Sequence, residues 1–338
     1  LIGAGPADLV FVRNATEGVN GVLRSLRFQP GDELLVTDHA YNACRNVVEF
    51  VAKRDRARVV VARVATPINS PEEVVAAIAD RVTDRTRLAM LDHVTSPTAM
   101  ILPIEELVQT LEARGVDTLV DGAHAPGTIP LNLDRLGAAY YTGNCHKWLC
   151  TPKGSGFLHV RGDRQEGLHP AVISHGYNTA SAGRSRFHQE FDWTGTADPT
   201  PWLCIPGAIG FLDSLAGNGI KDLMRQNHRL AVEAARLLRR ALEVEPLCPD
   251  EMLGSMASVS LPDDPRPMDG WIHPLQTRLF EQFSIEVPMY PWPTPPRLLL
   301  RISAQAYNYL EQYEQLASAL VEILGDRGYG EIPTCRSP

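Results

Sequence analysis

With 338 residues, 44% of them hydrophobic and 21% charged, the chain can bury about three quarters of its unfolded surface in one large domain or two, which excludes a disulfide-stapled miniature fold. A formal net charge of -8 without any basic stretch speaks against nucleic acid and an anionic membrane surface as partners. The expected partner is a small molecule or another protein.

Over residues 9–160, short β-branched runs alternate with segments of helical period, the pattern of βαβ units in a mostly parallel sheet. Strands are predicted at 9–12, 33–36, 59–62, 88–91, 118–120 and 140–142, with helices near 17–26, 43–53, 71–82 and 104–114. Ser70-Pro71-Glu72-Glu73 opens the third of these helices, with Ser70 as N-cap, Pro71 at the first helical position and Glu73 placed for a capping box. Residues 162–195 lose the pattern but keep aromatic residues among Gly, Ser, His and Arg, which suggests a long functional excursion. Helices follow near 201–215 and 221–242. From about Pro246, strand-like runs at 258–261 and 298–302, proline-rich turns at 288–296 and an amphipathic helix at 309–324 read as a smaller α/β unit.

Charge interrupts every apolar run short of the roughly twenty residues that cross a bilayer, and the opening residues, which begin at Leu1 rather than Met, do not read as a secretory leader. A cytoplasmic location with no membrane partner is expected. Cys44, Cys145, Cys150, Cys204, Cys248 and Cys335 form no CxxC pair, which fits reduced thiols and no metal site.

Four stretches suggest chemistry. Leu1-Ile2-Gly3-Ala4-Gly5-Pro6-Ala7-Asp8 looks like the dinucleotide fingerprint of flavin and nicotinamide oxidoreductases, but it lacks the preceding strand, the third glycine and the following helix. Asn14-Ala15-Thr16-Glu17-Gly18 is a polar turn between a strand and an amphipathic helix, where free amides and the positive dipole end suit a phosphate or merely cap the helix. Val120-Asp121-Gly122-Ala123-His124 places Asp121 at the carboxyl end of a strand, where open α/β sheets bind ligands. Lys147 follows the next strand in Gly143-Asn144-Cys145-His146-Lys147-Trp148. The chain has four lysines against 28 arginines, so surface charge is drawn from arginine; Lys147 is either functional or a half-buried amine reaching solvent.

Together these motifs resemble the class V pyridoxal-phosphate enzymes of fold type I, the group of cysteine desulfurases and isopenicillin N epimerase. The resemblance extends from about Asp8 to Leu324. Trp193-Thr194-Gly195-Thr196-Ala197-Asp198 and Arg301-Ile302-Ser303-Ala304-Gln305-Ala306-Tyr307-Asn308 are most similar to the epimerase-like branch. The resemblance implies a large domain over 1–245 with a mostly parallel seven-stranded sheet, and a smaller C-terminal α/β domain over 246–338. Family members begin several tens of residues earlier, so part of the small domain is expected outside this chain.

It also implies pyridoxal 5'-phosphate as cofactor and a role for each matching residue. Lys147 would hold the cofactor as a Schiff base and shuttle the α-proton, Asp121 would keep the ring nitrogen protonated, and His124 would bond the ring hydroxyl. Ala15, Thr16, Asn144 and His146 match phosphate contacts. His39 matches the residue stacked on the ring, with Tyr41 close by, and the two are the candidates for a second acid/base. Arg301 matches the fork for the substrate carboxylate. Thr196 matches a contact to the phosphate of a neighbouring subunit, in a homodimer with its active site at the interface. The stretch from Val287 to Pro293 lacks the nucleophilic cysteine of desulfurases, and Ala139 replaces a common acidic residue. The implied activity is epimerisation or racemisation of an amino acid, with C–S β-elimination as alternative. Less favoured are an oxidoreductase resting on Gly3 and Gly5, and a catalytically dead binding module.

Overall fold

The β-branched runs of the first half pair into a seven-stranded sheet in the computed structural model, which describes residues 1–179 and 183–325. Cys335 and the end of the expected 246–338 unit lie outside the described residues. In chain order come β1 (Leu9–Val12), α1 (Ala15–Ser25), β2 (Glu33–Thr37), α2 (Asn42–Asp55), β3 (Arg58–Ala62) and α3 (Pro71–Ala79). Then follow β4 (Thr86–Asp92), α4 (Ile104–Glu112), β5 (Asp117–Gly122), α5 (Leu133–Leu136), β6 (Tyr140–Asn144) and β7 (Gly156–Val160). The sheet order is β1-β7-β6-β5-β4-β2-β3. All neighbours from β3 to β6 are parallel, and β7 lies antiparallel between β6 and β1. The carboxyl ends of β2, β4, β5 and β6 therefore share one edge.

Helices cover both faces, which is why the strands read as unbroken apolar runs. Val19, Val22 and Leu23 of α1 and Val48 and Val51 of α2 pack with Leu34, Val36 and Leu158. The alternate residue Leu35 joins Ala89, Leu91 and Val120 on the opposite face, under Val74, Ile78, Leu107 and Leu111 of α3 and α4. At Gly18 a β-carbon would fall 2.3 Å from Thr142 Oγ1, so only glycine lets α1 lie this close to β6. That contact brings the start of α1 to the end of β6.

The second half contributes α6 (Arg186–Phe191), α7 (Thr200–Leu203), α8 (Ile205–Ser214), α9 (Ile220–Leu242), β8 (Met256–Leu261), α10 (Pro274–Phe283), β9 (Met289–Pro291), β10 (Leu298–Ser303) and α11 (Leu310–Gly325). β8, β10 and β9 form an antiparallel sheet in that order. Its core residues Leu261 and Ile302 join Leu223 and Leu238 of α9 in the same apolar cluster as the large sheet's α3–α4 face.

Several expectations shift. β7 is not foreseen because Gly156 and His159 interrupt its apolar run and only Val160 of its five residues is β-branched. The helix expected at 201–215 is two, since Pro206 in the first turn of α8 removes an amide donor. β9 falls in the stretch read as proline-rich turns, where Pro291 ends a strand at the sheet edge and a missing donor is tolerated, and α10 falls where the sequence reading places no element: Pro274 starts it, and its cap is His273 Nδ1 accepting from Leu275 N. The Ser70 side chain does not cap α3. Glu73 instead binds the Asn69 amide and side chain, both at 3.0 Å, so the box is displaced by one residue. Gly3 and Gly5 pack near Asn132 and Asp134, and a single 3₁₀ turn at Pro6–Asp8 then leads into β1 rather than into the α-helix the fingerprint needs. Among the described residues no helix is long and apolar enough to cross a membrane.

Candidate active site

The turn after β6 carries Lys147 and is tied down at its base: the Cys145 and His146 amides both donate to the Ser155 carbonyl, at 3.0 and 3.3 Å. The adjoining Trp148 is buried. Its indole Nε1 donates to His124 Nδ1 at 3.3 Å. Burial pushes the His124 imidazole well below its ordinary value, and the Lys147 and Arg301 charges push the same way, so the ring is neutral. With Nδ1 accepting from an indole that can only donate, the ring hydrogen sits on Nε2. That N–H faces Lys147 Nζ at 2.9 Å, a geometry that calls for an amine lone pair. Burial lowers the Lys147 amine to about 8, against the opposing pull of Asp121.

Asp121 and Asp92 are register partners near the ends of neighbouring strands β5 and β4, and both are buried. Asp121 Oδ1 accepts from the Ala123 amide at 3.0 Å, and Oδ2 accepts from the Cys44 thiol at 3.1 Å. Asp92 Oδ1 accepts from the Tyr41 amide at 3.3 Å. Burial raises the Tyr41 phenol, with Cys44, Asp121 and Tyr290 adding to the rise and Arg301 opposing it. The phenol therefore belongs to this group, and Tyr41 is 45% exposed. His39 is fully buried, its two nitrogens engaged at 2.8 Å with Thr98 Oγ1 and the Val64 carbonyl. Its ring meets Trp292 at 4.5 Å between centroids. Of the two expected ring-stacking residues, only Tyr41 has a side chain interacting with Asp121 and Arg301.

The amino end of α1 reaches the same edge. Asn14 caps it, accepting from Glu17 N at 2.9 Å, and Asn144 Oδ1 accepts from the Ala15 amide at 2.8 Å. That bond ties α1 to the end of β6 and occupies the Ala15 N–H that was expected to meet a phosphate. Thr16 lies beside the Cys44 thiol and holds it down against the larger effect of burial. His146 Nδ1 bonds the Ser155 carbonyl at 2.7 Å, which turns its Nε2 into the acceptor when neutral. Thr196 is exposed in the stretch after α6, with no hydrogen bond to the Lys147 group among the described residues.

Arg301 comes from β10 of the smaller sheet. Its Nη1 donates to the Ser96 carbonyl at 2.6 Å and the Ser96 hydroxyl at 3.1 Å, and the guanidinium carbon lies 5.4 Å from the Tyr290 ring centroid. Burial lowers its titration, with Tyr290 and Tyr41 opposing. Asp92, Cys44, Ser96, Trp148 and Tyr290 were not singled out from the sequence. Asp92 was within reach of the same reasoning that found Asp121, since it too ends a strand. Ser96 is brought in by a loop whose course no period encodes, while Cys44 on α2 and Tyr290 on β9 reach the site only through the packing of those elements, and Trp148 through the turn that carries Lys147.

A family model described as Aminotransferase class-V matches residues 1–263. Isopenicillin N epimerase of Streptomyces clavuligerus is 36% identical over 96% of this chain and 82% of its own length. A probable chloroplastic L-cysteine desulfhydrase of Arabidopsis thaliana is 32% identical over 94% of this chain and 71% of its own length. The solved structure of the cystine C-S lyase C-DES in complex with cysteine persulfide superposes with a TM-score of 0.78 at 23% identity, covering 94% of this chain and 82% of that one. The last likeness shows the fold alone, an α/β arrangement of the fold type I class.

Proposed function

Because the chain belongs to the class V aminotransferase family, whose members depend on pyridoxal phosphate, we propose that it acts at the α-carbon of an amino acid as an epimerase or racemase. Two buried atoms without a hydrogen-bond partner among the described residues, Asp92 Oδ2 and Arg301 Nε, flank the Lys147 group and fit a site built to receive a charged ligand. When bound, pyridoxal phosphate supplies an aldehyde that joins a primary amine and an electron-withdrawing ring that acidifies the α-hydrogen. Lys147 is the amine, and the Lys147 Nζ to His124 Nε2 contact is the observation that carries the reading: it favours the neutral, nucleophilic form. Asp121 holds a proton on the ring nitrogen by charge, and His124 donates to the ring oxygen. Thr16 and Asn144 hold the phosphate at the start of α1, joined by His146 when the phosphate's charge keeps a proton on its Nε2, while Ala15 fixes that helix to Asn144. Arg301 receives the substrate carboxylate through its unpartnered Nε edge.

Inversion needs a proton taken on one face and returned on the other. Lys147 Nζ moves it on one face, and the Tyr41 phenol, which sits among Asp121, Tyr290 and Arg301, serves the other. His39 has both nitrogens engaged and acts as a wall. A second reading, C–S β-elimination, is favoured by the likeness to the Arabidopsis desulfhydrase; transfer through a loop cysteine is not, since β9 and its flanks carry none. Incubation of candidate amino acids in heavy water separates the two. Deuterated antipode without keto acid is expected, and stoichiometric keto acid with released sulfur gives the elimination.

The working form is a cytoplasmic homodimer. Phe11 on edge strand β1 meets Trp202 at 6.0 Å between centroids, and Leu203 and Phe211 stand 73% and 63% exposed nearby in chain on α7 and α8. This apolar face supports a two-fold partner, which would bring Thr196 of one copy to the phosphate of the other. Sedimentation at assay concentration tests it; full activity as a monomer is the adverse result.

A further inference from the structure

Asp92, one of the two buried groups beside Lys147 with an unpartnered atom among the described residues, has been given no role of its own in holding cofactor or substrate. It is 2% exposed at the end of β4, beside Asp121 at 3% exposure and in register with it. The groups facing it are Asp121 from β5, the Tyr41 amide and Cys44 thiol from the start of α2, and the Lys147 amine from the turn after β6. His93, one residue on, points to the other face of the sheet and bonds Tyr141 Oη at 2.9 Å. Among the described residues, Lys147 is the one cation whose charge acts on Asp92, and burial lowers that amine to about 8. Two adjacent buried carboxyls in that setting do not both ionise. The hydrogen bonds decide which one does. Asp121 accepts from two donors, an amide and a thiol, whereas Asp92 accepts from one amide and keeps Oδ2 unpartnered among the described residues.

We propose that Asp92 is a positioning residue that works as a neutral carboxyl: it fixes the Tyr41 backbone and the start of α2, so that the Cys44 thiol seats Asp121 as the single negative charge beside Lys147. The inference rests on the cofactor roles given above to Asp121 and Lys147. Burial and the Asp121 charge both raise Asp92, in keeping with the neutral form.

The test uses the whole protein without substrate, so reaction type does not enter. Pyridoxal phosphate affinity is measured by fluorescence quenching, and the pH midpoint of the visible band of the lysine-linked cofactor is followed. Asp92→Asn, which mimics the neutral carboxyl, should hold affinity within about threefold and leave the midpoint in place, while Asp92→Ala should weaken affinity by about tenfold or more. If Asp92 is instead an anion, removing its charge near Lys147 moves the midpoint down by about one unit in Asp92→Asn, and the proposal falls. It falls equally if Asp92→Ala binds as tightly as wild type. Should the alanine variant fail to fold, Asp92→Ser replaces it with the same expectation, and the midpoint in Asp92→Asn decides the charge state alone. Failure of wild type to form a band on Lys147 would instead remove the lysine assignment; the melting temperatures of the cofactor-free variants would then read the Asp92 role directly, with Asn expected near wild type and Ala lower.

Discussion

The floor of the site and its rim are built on different terms. The floor, at the ends of β4, β5 and β6, is buried, and nearly every side chain in it is bonded to another part of the protein: Trp148 to His124, His124 to Lys147, Cys44 to Asp121. The rim, carried by β10 and the start of α2, keeps atoms in reserve. Arg301 uses Nη1 on Ser96 but leaves Nε unpartnered among the described residues, and Tyr41 is half exposed. Groups that must hold one protonation state are locked by neighbours, whereas groups that must grip an incoming ligand retain bonding capacity.

Breaking the floor should cost most. Lys147→Ala removes the amine and should abolish turnover, a loss of about a thousandfold or more, with borohydride leaving no cofactor on the chain. In wild type the reduced label should map to Lys147; a label on Lys153 would refute the assignment. Asp121→Asn preserves shape and the Ala123 contact but not the charge, so cofactor should remain bound while turnover falls by about a hundredfold. Equal turnover would make Asp121 a mere strand end.

The rim should respond in KM instead. Arg301→Lys replaces a fork by a point charge and should lower kcat/KM by about tenfold to a hundredfold, nearly all through KM, with the cofactor spectrum unchanged. A drop confined to kcat would place Arg301 with the floor and erase the distinction.

Much of this contrast is legible in the sequence because the floor hangs on strand ends. Asp121 and Lys147 follow apolar runs whose two-faced burial makes them conspicuous, and the arginine-rich composition singles out Lys147. The rim is less legible. β9 forms where proline suggests turns and α10 where no helical period is read, and no local period shows that Arg301 of β10 would meet Ser96, 205 positions away in the chain. Cys44 escaped for a related reason: its position on α2 is ordinary, and only the packing of α2 against the ends of β4 and β5 aims the thiol at Asp121.

The smallest effect is on stability, and it follows from the floor alone. Lys147 titrates near 8 in the folded protein and near its ordinary value of about 10.4 when unfolded. Below 8 both states carry the proton and the burial penalty on the ammonium is present in full. Between 8 and about 10.4 the unfolded chain binds more protons at this position, so the Lys147 contribution to stability rises with pH across that window. Lys147→Met keeps the apolar stem without the charge. In cofactor-free protein it should melt higher than wild type at pH 7, and the gap should narrow steadily toward pH 10. The same comparison made with Lys153→Met, on a lysine that lies at an exposed position, should show no such convergence. A gap that stays constant with pH would mean that burial does not depress the Lys147 amine, and the contrast between a locked floor and a receptive rim would lose its central group.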